Sequence, residues 1–444
     1  PVLALLAFVG VIILLLFLIA KWRWHVFLAL LVPMMLFGII PGIQQNNFIE
    51  AFESGFGATL GSIGVVIVLG SIIAEALRHT GAIQTITRTM VNVFGRNRIP
   101  LALTLTGFIL GIAIFSDVAF VILNPLVHSA AKAMGVPIAV VSTGLVGSLQ
   151  LTHAIVPPTP GPLAAAALVG ADIGKTIIFG GIACLVGSLA GWVWGQFIAG
   201  PRIKIQPDDE FAGETFLEGD STGLPGALAS YVPIVVPILL ISAQSVSRLF
   251  LAEDHIIRTG LVYIGWPVAA LSIGVWLAYR NIRTEEHRKA SKSAWVEEAL
   301  KVSAMILVVT GLGGSLSAIL KATPAVEVIS SFFSTYGLPA ILLPFVIGIM
   351  GNMITGSTTV GVITAASLVA PMLGSLGLSP EAGMLSGACG SVIIKYVNSS
   401  YFWVCTSLTR LPVKDAIFGY GGVTLVGGLA SFAAVWLMWS VGLI

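Results

Sequence analysis

The order of apolar and polar residues divides the chain into long apolar stretches joined by short polar segments. Several stretches are almost uninterrupted, and each has roughly the 20 residues that an α-helix needs to cross the hydrocarbon core of a bilayer. They are residues 2–20, 25–40, 57–77, 176–199, 227–250, 260–279 and 301–320. This pattern predicts an all-α polytopic membrane protein.

One apolar region of the first half is interrupted by polar residues. Residues 99–134 are broken at Phe115-Ser116-Asp117 and again at Asn124-Pro125, and they end near Lys132. Because basic residues favour the cytoplasmic side of a membrane, both ends of this region are expected there. We interpret it as a re-entrant helical hairpin.

A second apolar region of the first half contains a run of prolines. Residues 138–170 include the sequence HAIVPPTPGP, which begins at His153 and has prolines at positions 157, 158, 160 and 162. Each proline removes a backbone donor and clashes with the preceding helical turn. The run therefore predicts a broken transmembrane helix, whose freed backbone groups must be satisfied by protein, water or a ligand.

The second half of the chain resembles the first half at a nearly constant offset. Residues 77–86 align with residues 320–329, and Gly147-Ser148 aligns with Gly390-Ser391. The interruption at Ser116-Asp117 then falls opposite residues 356–359, and the proline run falls opposite residues 397–401. By the count of spans, the two copies have opposite orientations. Inverted repeats with paired broken helices indicate an alternating-access transporter whose site lies at the repeat interface.

Composition agrees with the membrane class and excludes others. The chain is 57% hydrophobic and 9% charged, whereas soluble proteins have about 25% charged residues. The net charge is only +2, and there is no basic cluster with interleaved aromatics, so a nucleic-acid partner is not expected. Cys184, Cys389 and Cys405 lie in apolar segments and are predicted to be buried thiols, without disulfides or a metal site.

No motif of an enzyme is present. The sequence has no Gly-x-Ser-x-Gly, no His-Glu-x-x-His and no pair of intramembrane acids at helical spacing. We therefore predict no catalytic residues; the rival classes are an intramembrane enzyme and a channel.

Asp117 is the first candidate for coupling chemistry. It is the only acid between Arg98 and Asp172, and an acid at membrane depth is costly and by default functional. We assign it to proton coupling; the alternative is a carboxylate that is paired structurally or that faces a water-filled vestibule.

Two further residues at the helix breaks can bind or titrate. His153 begins the proline run, and its imidazole can donate to a carboxylate or hydroxyl; the alternative is a satisfied packing histidine. Lys395 precedes the second break and could bind a substrate carboxylate or pair with Asp117. The alternative for Lys395 is snorkelling to the membrane interface.

Small polar residues surround the second pair of interruptions. Their hydroxyls and amides suit a hydroxylated substrate, and positive helix ends favour a carboxylate without a fixed charge. Close helix packing is the alternative use of such residues in membranes. The residues are Ser357, Thr358, Thr359, Asn398, Ser399 and Ser400.

On these residues, the chain resembles the gluconate permease family, which includes gluconate:proton symporters and related sugar-acid and D-serine permeases. The resemblance covers essentially the whole chain, and the proline run from His153 to Pro162 is its most specific part. Four other segments carry it: residues 170–174 (GADIG), 116–118 (SDV), 356–360 (GSTTV) and 397–403 (VNSSYFW). The chain departs from the family pattern at Asp117, Thr159, Lys395 and Ser399.

The resemblance implies a homodimeric elevator with a fixed scaffold and a mobile transport domain. It places the scaffold at 1–98 and 226–337, a cytoplasmic loop at 201–225, and the transport domain at 99–200 and 338–444. The transport domain would contain hairpins 99–134 and 338–374 and broken helices 138–170 and 380–410. Carried over residue by residue, the substrate contacts are His153, Thr159, Ser357, Thr358, Asn398 and Ser399, to which we add Lys395.

We therefore expect a symporter in the inner membrane of a bacterium that imports a small hydroxylated carboxylate such as gluconate or another sugar acid. The proton gradient would drive it through Asp117, with no cofactor besides the coupling ion. The alternatives are a sodium-coupled carboxylate transporter of the same architecture and a D-serine-type amino acid permease.

Overall fold

The computed structural model describes residues 10, 13–14, 17–18, 21–22, 24–37, 45–208, 223–252, 254–321, 338–393, 395–396 and 399–444. The described residues are 81% helical, and they contain no β-strand. Most of the predicted span 2–20, the acidic segment 209–222 and the repeat segment 322–329 lie outside the described residues.

The first helices run from the amino-terminal side to the first hairpin. They are α1 (Val26–Phe37), α2 (Gln45–Thr80) and α3 (Ala82–Phe94), and a short 3₁₀ turn (Arg96–Arg98) follows. Helix α2 begins well before the predicted stretch 57–77 and ends three residues after it. Its bent halves together are long and apolar enough to form one span.

The first hairpin and the first broken helix have the predicted order, but their breaks are displaced. Helices α4 (Ile99–Leu110) and α5 (Ser116–Met134) form the hairpin, and α6 (Ile138–Ile155) and α7 (Pro160–Val169) form the broken helix. The expected second interruption at Asn124-Pro125 is wrong, because Pro125 lies inside α5.

The proline run also breaks the chain over a shorter length than predicted. His153 still belongs to α6, and the last two prolines lie in the first turn of α7. Proline is tolerated there, since the first helical residues have no intrahelical partner for an N–H. The interruption is therefore confined to residues 156–159.

The middle of the chain contains α8 (Ile173–Val193), a π-helical segment (Trp194–Ala199), α9 (Ala227–Phe250), α10 (Ile256–Ile264) and α11 (Pro267–Tyr279). The predicted span 260–279 is long and apolar enough only as a bent pair of helices. Helices α10 and α11 are bent by 64° with respect to each other, because α10 ends at Gly265 and Pro267 starts a new helix.

The second half begins with α12 (Glu285–Ala290) and α13 (Ala294–Lys321), and α13 packs along α2. The second hairpin consists of α14 (Leu342–Thr355) and α15 (Thr358–Val369), and a 3₁₀ turn (Ala370–Met372) follows.

The second broken helix consists of α16 (Pro380–Ser391) and α17 (Ser400–Thr409). After it come α18 (Val413–Ala416), a π-helical segment (Ile417–Gly421) and α19 (Gly422–Ser440). The order of hairpin and broken helix thus occurs in each half. The opposite orientation of the halves and the division into scaffold and transport domain stay predictions.

Among the described residues, five helices are long and apolar enough to cross a membrane, or up to seven if each bent pair is one span. The broken helix α6–α7 is the most enclosed of them, since 94% of its most apolar window is buried inside the protein. The centre of the molecule is therefore built around this helix, while α8 and α9 expose much of their surface.

A polar cluster connects the two halves at one end of the first hairpin. The imidazole of His128 on α5 contacts the Leu408 carbonyl of α17 at 2.9 Å through Nε2 and accepts the Asp208 N–H at 2.9 Å through Nδ1. The Asp208 carboxylate forms an ion pair with Arg410. The segment after α8 is thereby bound to α5 and α17.

Candidate functional site

Both hairpin tips, the second helix break and the part of α6 that precedes the first break meet at one polar cavity of about 330 Å³. Its lining comes from the starts of α5, α15 and α17, from α6, from the end of α14 and from Lys395 in the second break. The lining residues are Phe115, Ser116, Asp117, Gln150, His153, Thr355, Gly356, Ser357, Thr358, Thr359, Lys395, Ser399, Ser400 and Tyr401. The cavity thus brings together six of the predicted site residues: Asp117, His153, Ser357, Thr358, Lys395 and Ser399.

Asp117 is the second residue of α5, and the extended residue Phe115 is the N-cap of this helix. Its carboxylate Oδ1 accepts the Val118 N–H at 2.9 Å. A carboxylate at this position is favoured by the positive end of the α5 dipole. Its side chain is only partly buried, so the acid faces the cavity at the tip of the first hairpin.

His153 lies in the last turn of α6 and is 7% exposed. Its ring packs against Phe115 with 5.2 Å between centroids. The Nδ1 atom is buried and makes no hydrogen bond among the described residues. Because a buried polar atom without a partner costs free energy, His153 does not fit the interpretation as a satisfied packing histidine.

Gln150 is a cavity residue that the sequence reasoning missed. It is 2% exposed and lies three residues before His153 on α6. Its Nε2 donates to Thr358 Oγ1 at 2.6 Å, and its Oε1 accepts from Ser116 Oγ at 3.3 Å. One side chain therefore connects the tips of both hairpins. The sequence could have indicated Gln150, because a glutamine three residues before His153 lies on the same face of the helix.

Helix α15 begins at the tip of the second hairpin. Ser357 is the N-cap of α15, and its hydroxyl accepts the Val360 N–H at 3.3 Å. Thr358 is the first residue of α15 and is nearly buried at the cavity wall. The exposed amides and the dipole of such a helix end attract anions.

Lys395 lies in the break between α16 and α17 and is only 2% exposed. Its Nζ donates to Asn352 Oδ1 at 2.7 Å and to the Gly356 carbonyl at 3.2 Å. The snorkelling alternative is therefore wrong, because the ammonium points into the protein. No ion pair joins Lys395 and Asp117 within the part of the chain that the structure describes.

The start of α17 completes the cavity. Ser399 is its N-cap and makes no side-chain capping bond. Ser400 and Tyr401 follow in the first turn, and the Tyr401 hydroxyl donates to the Val146 carbonyl at 3.0 Å. The predicted contact Asn398 lies outside the described residues.

Thr159 is placed apart from the cavity. Its hydroxyl donates to the Val156 carbonyl at 2.6 Å, and it lines a narrow apolar crevice of about 20 Å³. His153 also lines this crevice, so it lies between the two spaces. The opposite wall consists of residues of α2, α9 and α11, including Gly70, Pro233 and Leu271.

Helix α7 approaches the second hairpin through Gly161. A Cβ at this position would lie 3.3 Å from the Thr359 Cα, which is tighter than ordinary van der Waals contact. The start of α7 is thereby packed directly behind the tip that carries Ser357 and Thr358.

The predicted thiols are buried and free: Cys184, Cys389 and Cys405 form no disulfide. The described residues contain no group of three His, Cys, Asp or Glu side chains that could hold a metal ion.

The cavity combines one acid, one buried amine and the starts of α5, α15 and α17, and it is enclosed by broken helices of a polytopic bundle. Helix ends of this kind serve secondary transporters as sites for anionic groups. Fold and site therefore define a polytopic α-helical membrane protein with a central site for a small polar solute.

The family follows from comparison with known proteins. The family model described as "GntP family permease" matches residues 2–442, and the chain belongs to this family. The expected gluconate permease family is thus confirmed.

The matches to named relatives cover nearly the whole length of this chain and of each relative. The high-affinity gluconate transporter of Escherichia coli K12 is 30% identical over 92% of this chain and 93% of its own. The gluconate permease of Zymomonas mobilis is 30% identical over 97% of both chains. The D-serine transporter DsdX of Escherichia coli K12 is 29% identical over 96% of both. These relatives are permeases and transporters rather than enzymes.

A solved structure has the same general fold. The Alcanivorax borkumensis YdaH transporter, described as having an unusual topology, matches with a TM-score of 0.64 at 14% identity. The match covers 94% of this chain and 97% of that one. It supports the helical transporter fold alone.

Proposed function

We propose that this protein is a secondary active symporter that imports a small hydroxylated carboxylate, such as gluconate or another sugar acid, into a bacterium across its inner membrane. The observation that supports this most is the convergence of both hairpin tips, the second helix break and the end of α6 on one polar cavity. Its volume of about 330 Å³ lies in the range of pockets that hold small ligands.

The substrate carboxylate would bind at Lys395 and the start of α17. Two N–H bonds of the ammonium are used by Asn352 and Gly356, and an ammonium has three. The third can reach an anion in the cavity, and the positive ends of α15 and α17 add attraction without another fixed charge.

The substrate hydroxyls would bind the neutral groups of the cavity. Ser357, Thr358 and Ser399 offer hydroxyls that can donate or accept. The unpartnered Nδ1 of His153 would gain its missing hydrogen bond from the ligand. We keep Asn398 and Thr159 as proposed contacts from the family resemblance.

Asp117 would carry the proton. It is an acid inside the apolar bundle, it faces the substrate cavity, and it is not neutralised by an ion pair with Lys395. A carboxylate in this position can bind a proton together with the substrate anion and release it on the other side. No cofactor other than the coupling ion is needed in this scheme.

An elevator motion of a transport domain against a scaffold would provide alternating access. The narrow crevice supports this division, because it separates the break before α7 from α2, α9 and α11. Its walls are almost entirely apolar, so they can slide without breaking many hydrogen bonds. We infer a homodimer held together by the scaffold from the family resemblance.

A D-serine-type permease is the second candidate, and one observation favours it. The cavity contains both Asp117 and Lys395 without an ion pair between them. A zwitterionic amino acid could place its carboxylate on Lys395 and its ammonium on Asp117. A sugar acid has no group that requires the free carboxylate.

Uptake into proteoliposomes tests the proposal. Labelled gluconate would be offered under an inward proton gradient, with sodium or choline, and with unlabelled sugar acids and D-serine as competitors. Proton-driven, sodium-independent uptake that sugar acids inhibit is the expected result. Inhibition by D-serine alone would favour the second candidate, and uptake only with sodium would overturn proton coupling.

A further inference from the structure

Lys395 binds to oxygen atoms of the kind that hold metal cations. Its ammonium donates to the side-chain oxygen of Asn352 and to the main-chain oxygen of Gly356. Neither acceptor is a carboxylate. In transporters with broken helices, unwound carbonyls and the C-terminal ends of half-helices coordinate the coupling Na⁺. The Lys395 ammonium therefore occupies a site with the chemistry of a sodium site.

The two acceptors are fixed in position. Asn352 is 1% exposed, and its Nδ2 donates to the Ile393 carbonyl at 3.1 Å, so that Oδ1 faces the lysine. Gly356 ends α14 in the left-handed conformation, with φ of 71°. Its carbonyl lies at the negative end of the α14 dipole, where a cation is favoured.

The lysine backbone is fixed as well. The Lys395 N–H donates to Thr424 Oγ1 at 3.0 Å. A Cβ at Gly421, in the π-helical segment, would lie 2.9 Å from the Lys395 carbonyl oxygen. The close approach of this segment limits where the side chain can reach, and the ammonium is held at the tip of the second hairpin.

The first hairpin has no such cation. Between Arg98 and Lys132 the chain has no basic residue other than His128, which is bound to Leu408 and Asp208. The tip itself carries Asp117. One half of the site therefore supplies a fixed positive charge and the other half a negative one.

We propose that the Lys395 ammonium is a tethered cation that replaces a coupling sodium ion at Asn352 and Gly356, and that it makes the carrier independent of Na⁺. This inference rests on the proposed function in one respect, namely that the carrier uses a coupling ion. It changes the role of Lys395 from a substrate contact alone to the residue that determines which ion is used.

Thermal unfolding of the purified full-length protein tests this without any substrate. Wild type, Lys395→Ala and Lys395→Met would be compared in NaCl and in choline chloride of equal ionic strength. The alanine side chain leaves room for an ion at the two oxygens, whereas methionine removes the charge and fills the space. Lys414→Ala, at an exposed lysine, controls for the loss of a positive charge.

We expect the Tm of Lys395→Ala to be about 2 °C higher in NaCl than in choline chloride, because an ion that binds only the folded state stabilises it. Wild type, Lys395→Met and Lys414→Ala should show no such difference. Adding Asn352→Ala to Lys395→Ala should abolish the sodium response. A folded Lys395→Ala protein that does not respond to sodium would overturn the proposal.

A second measurement covers the case in which Lys395→Ala does not fold. The Tm of wild type would be measured with increasing NaCl at constant ionic strength, and its uptake with and without sodium. Indifference to sodium in both is expected, and a sodium requirement would overturn the proposal. Failure of wild type to take up gluconate would remove only the sugar-acid substrate, because the unfolding measurements contain no substrate.

Discussion

The two hairpin tips have the same place in the chain order but opposite chemistry. The first tip begins α5 with an acid, Asp117, whose carboxylate is bound to a backbone N–H. The second tip begins α15 with neutral hydroxyls, and its charge comes from Lys395 in the neighbouring break. Under the proposed function, the two halves divide the work, with the proton at Asp117 and the anion at Lys395.

The two helix breaks differ in a related way. The first break is short, rich in proline and packed against an apolar crevice. The second lies between α16 and α17, and its residues Lys395 and Ser399 line the cavity. Proline has no backbone N–H, so the prolines interrupt the first helix without leaving an N–H of their own that needs a partner. The second break has no proline and contributes more polar groups to the site.

Replacement of Asp117 tests the acidic half and should have the largest effect. Asp117→Asn cannot release a proton, so accumulation of substrate driven by the proton gradient should fall at least about tenfold. Exchange of labelled for unlabelled substrate should persist, because it needs no net proton movement. Asp415→Asn, at a site remote from the cavity, should behave as wild type. Full proton-driven accumulation by Asp117→Asn would remove this residue from coupling.

Replacement of Lys395 tests the basic half. Lys395→Met should raise KM for a carboxylate about 10- to 100-fold, since a hydrogen bond to a charged group contributes about 1.5–3 kcal/mol. The measurement is the concentration dependence of initial uptake rates. Lys414→Met is the matched control. An unchanged KM in a folded Lys395→Met protein would show that the anion binds elsewhere.

Gln150→Leu removes the connection between the two tips. We expect a several-fold rise in KM and a lower Tm, because the hydroxyls of Ser116 and Thr358 lose their partner and each bond contributes about 1 kcal/mol. Ser148→Ala, which breaks the buried 2.9 Å bond to Ser188, should lower Tm without changing KM. Equal effects of both variants on KM would contradict a specific role for Gln150.

Contacts between the halves outside the cavity should matter least. The Glu381 carboxylate on α16 accepts the Asp172 N–H at 3.0 Å. Glu381→Gln keeps an acceptor but loses the charge, so Tm should fall by roughly 2 °C or less, with KM unchanged. Glu285→Gln, in an exposed ion pair with Arg288, should leave Tm unaltered. A change of KM in Glu381→Gln would extend the site beyond the cavity.

The sequence predicted the helices and the approximate positions of their breaks. The length of an apolar stretch and the presence of prolines determine local structure, so both can be recognised without knowledge of tertiary contacts. The sequence did not fix the break positions: Pro160 and Pro162 start a helix, and Pro125 lies inside one. Six cavity residues were predicted from polarity at membrane depth and from the family resemblance. Gln150 was missed, since its role depends on two hydroxyls more than 30 residues away in sequence. The partners of Lys395 depend on tertiary packing for the same reason.

The opposite charges of Asp117 and Lys395 have an electrical consequence. If Asp117 is ionised and Lys395 is protonated, the cavity without substrate carries no net charge. If one proton accompanies each monovalent anion, the loaded cavity is also neutral. Moving a single charge across a membrane changes the free energy by about 2.3 kcal/mol per 100 mV, but a carrier that is neutral in both forms avoids this term. Its import would then follow the pH difference and ignore the membrane voltage.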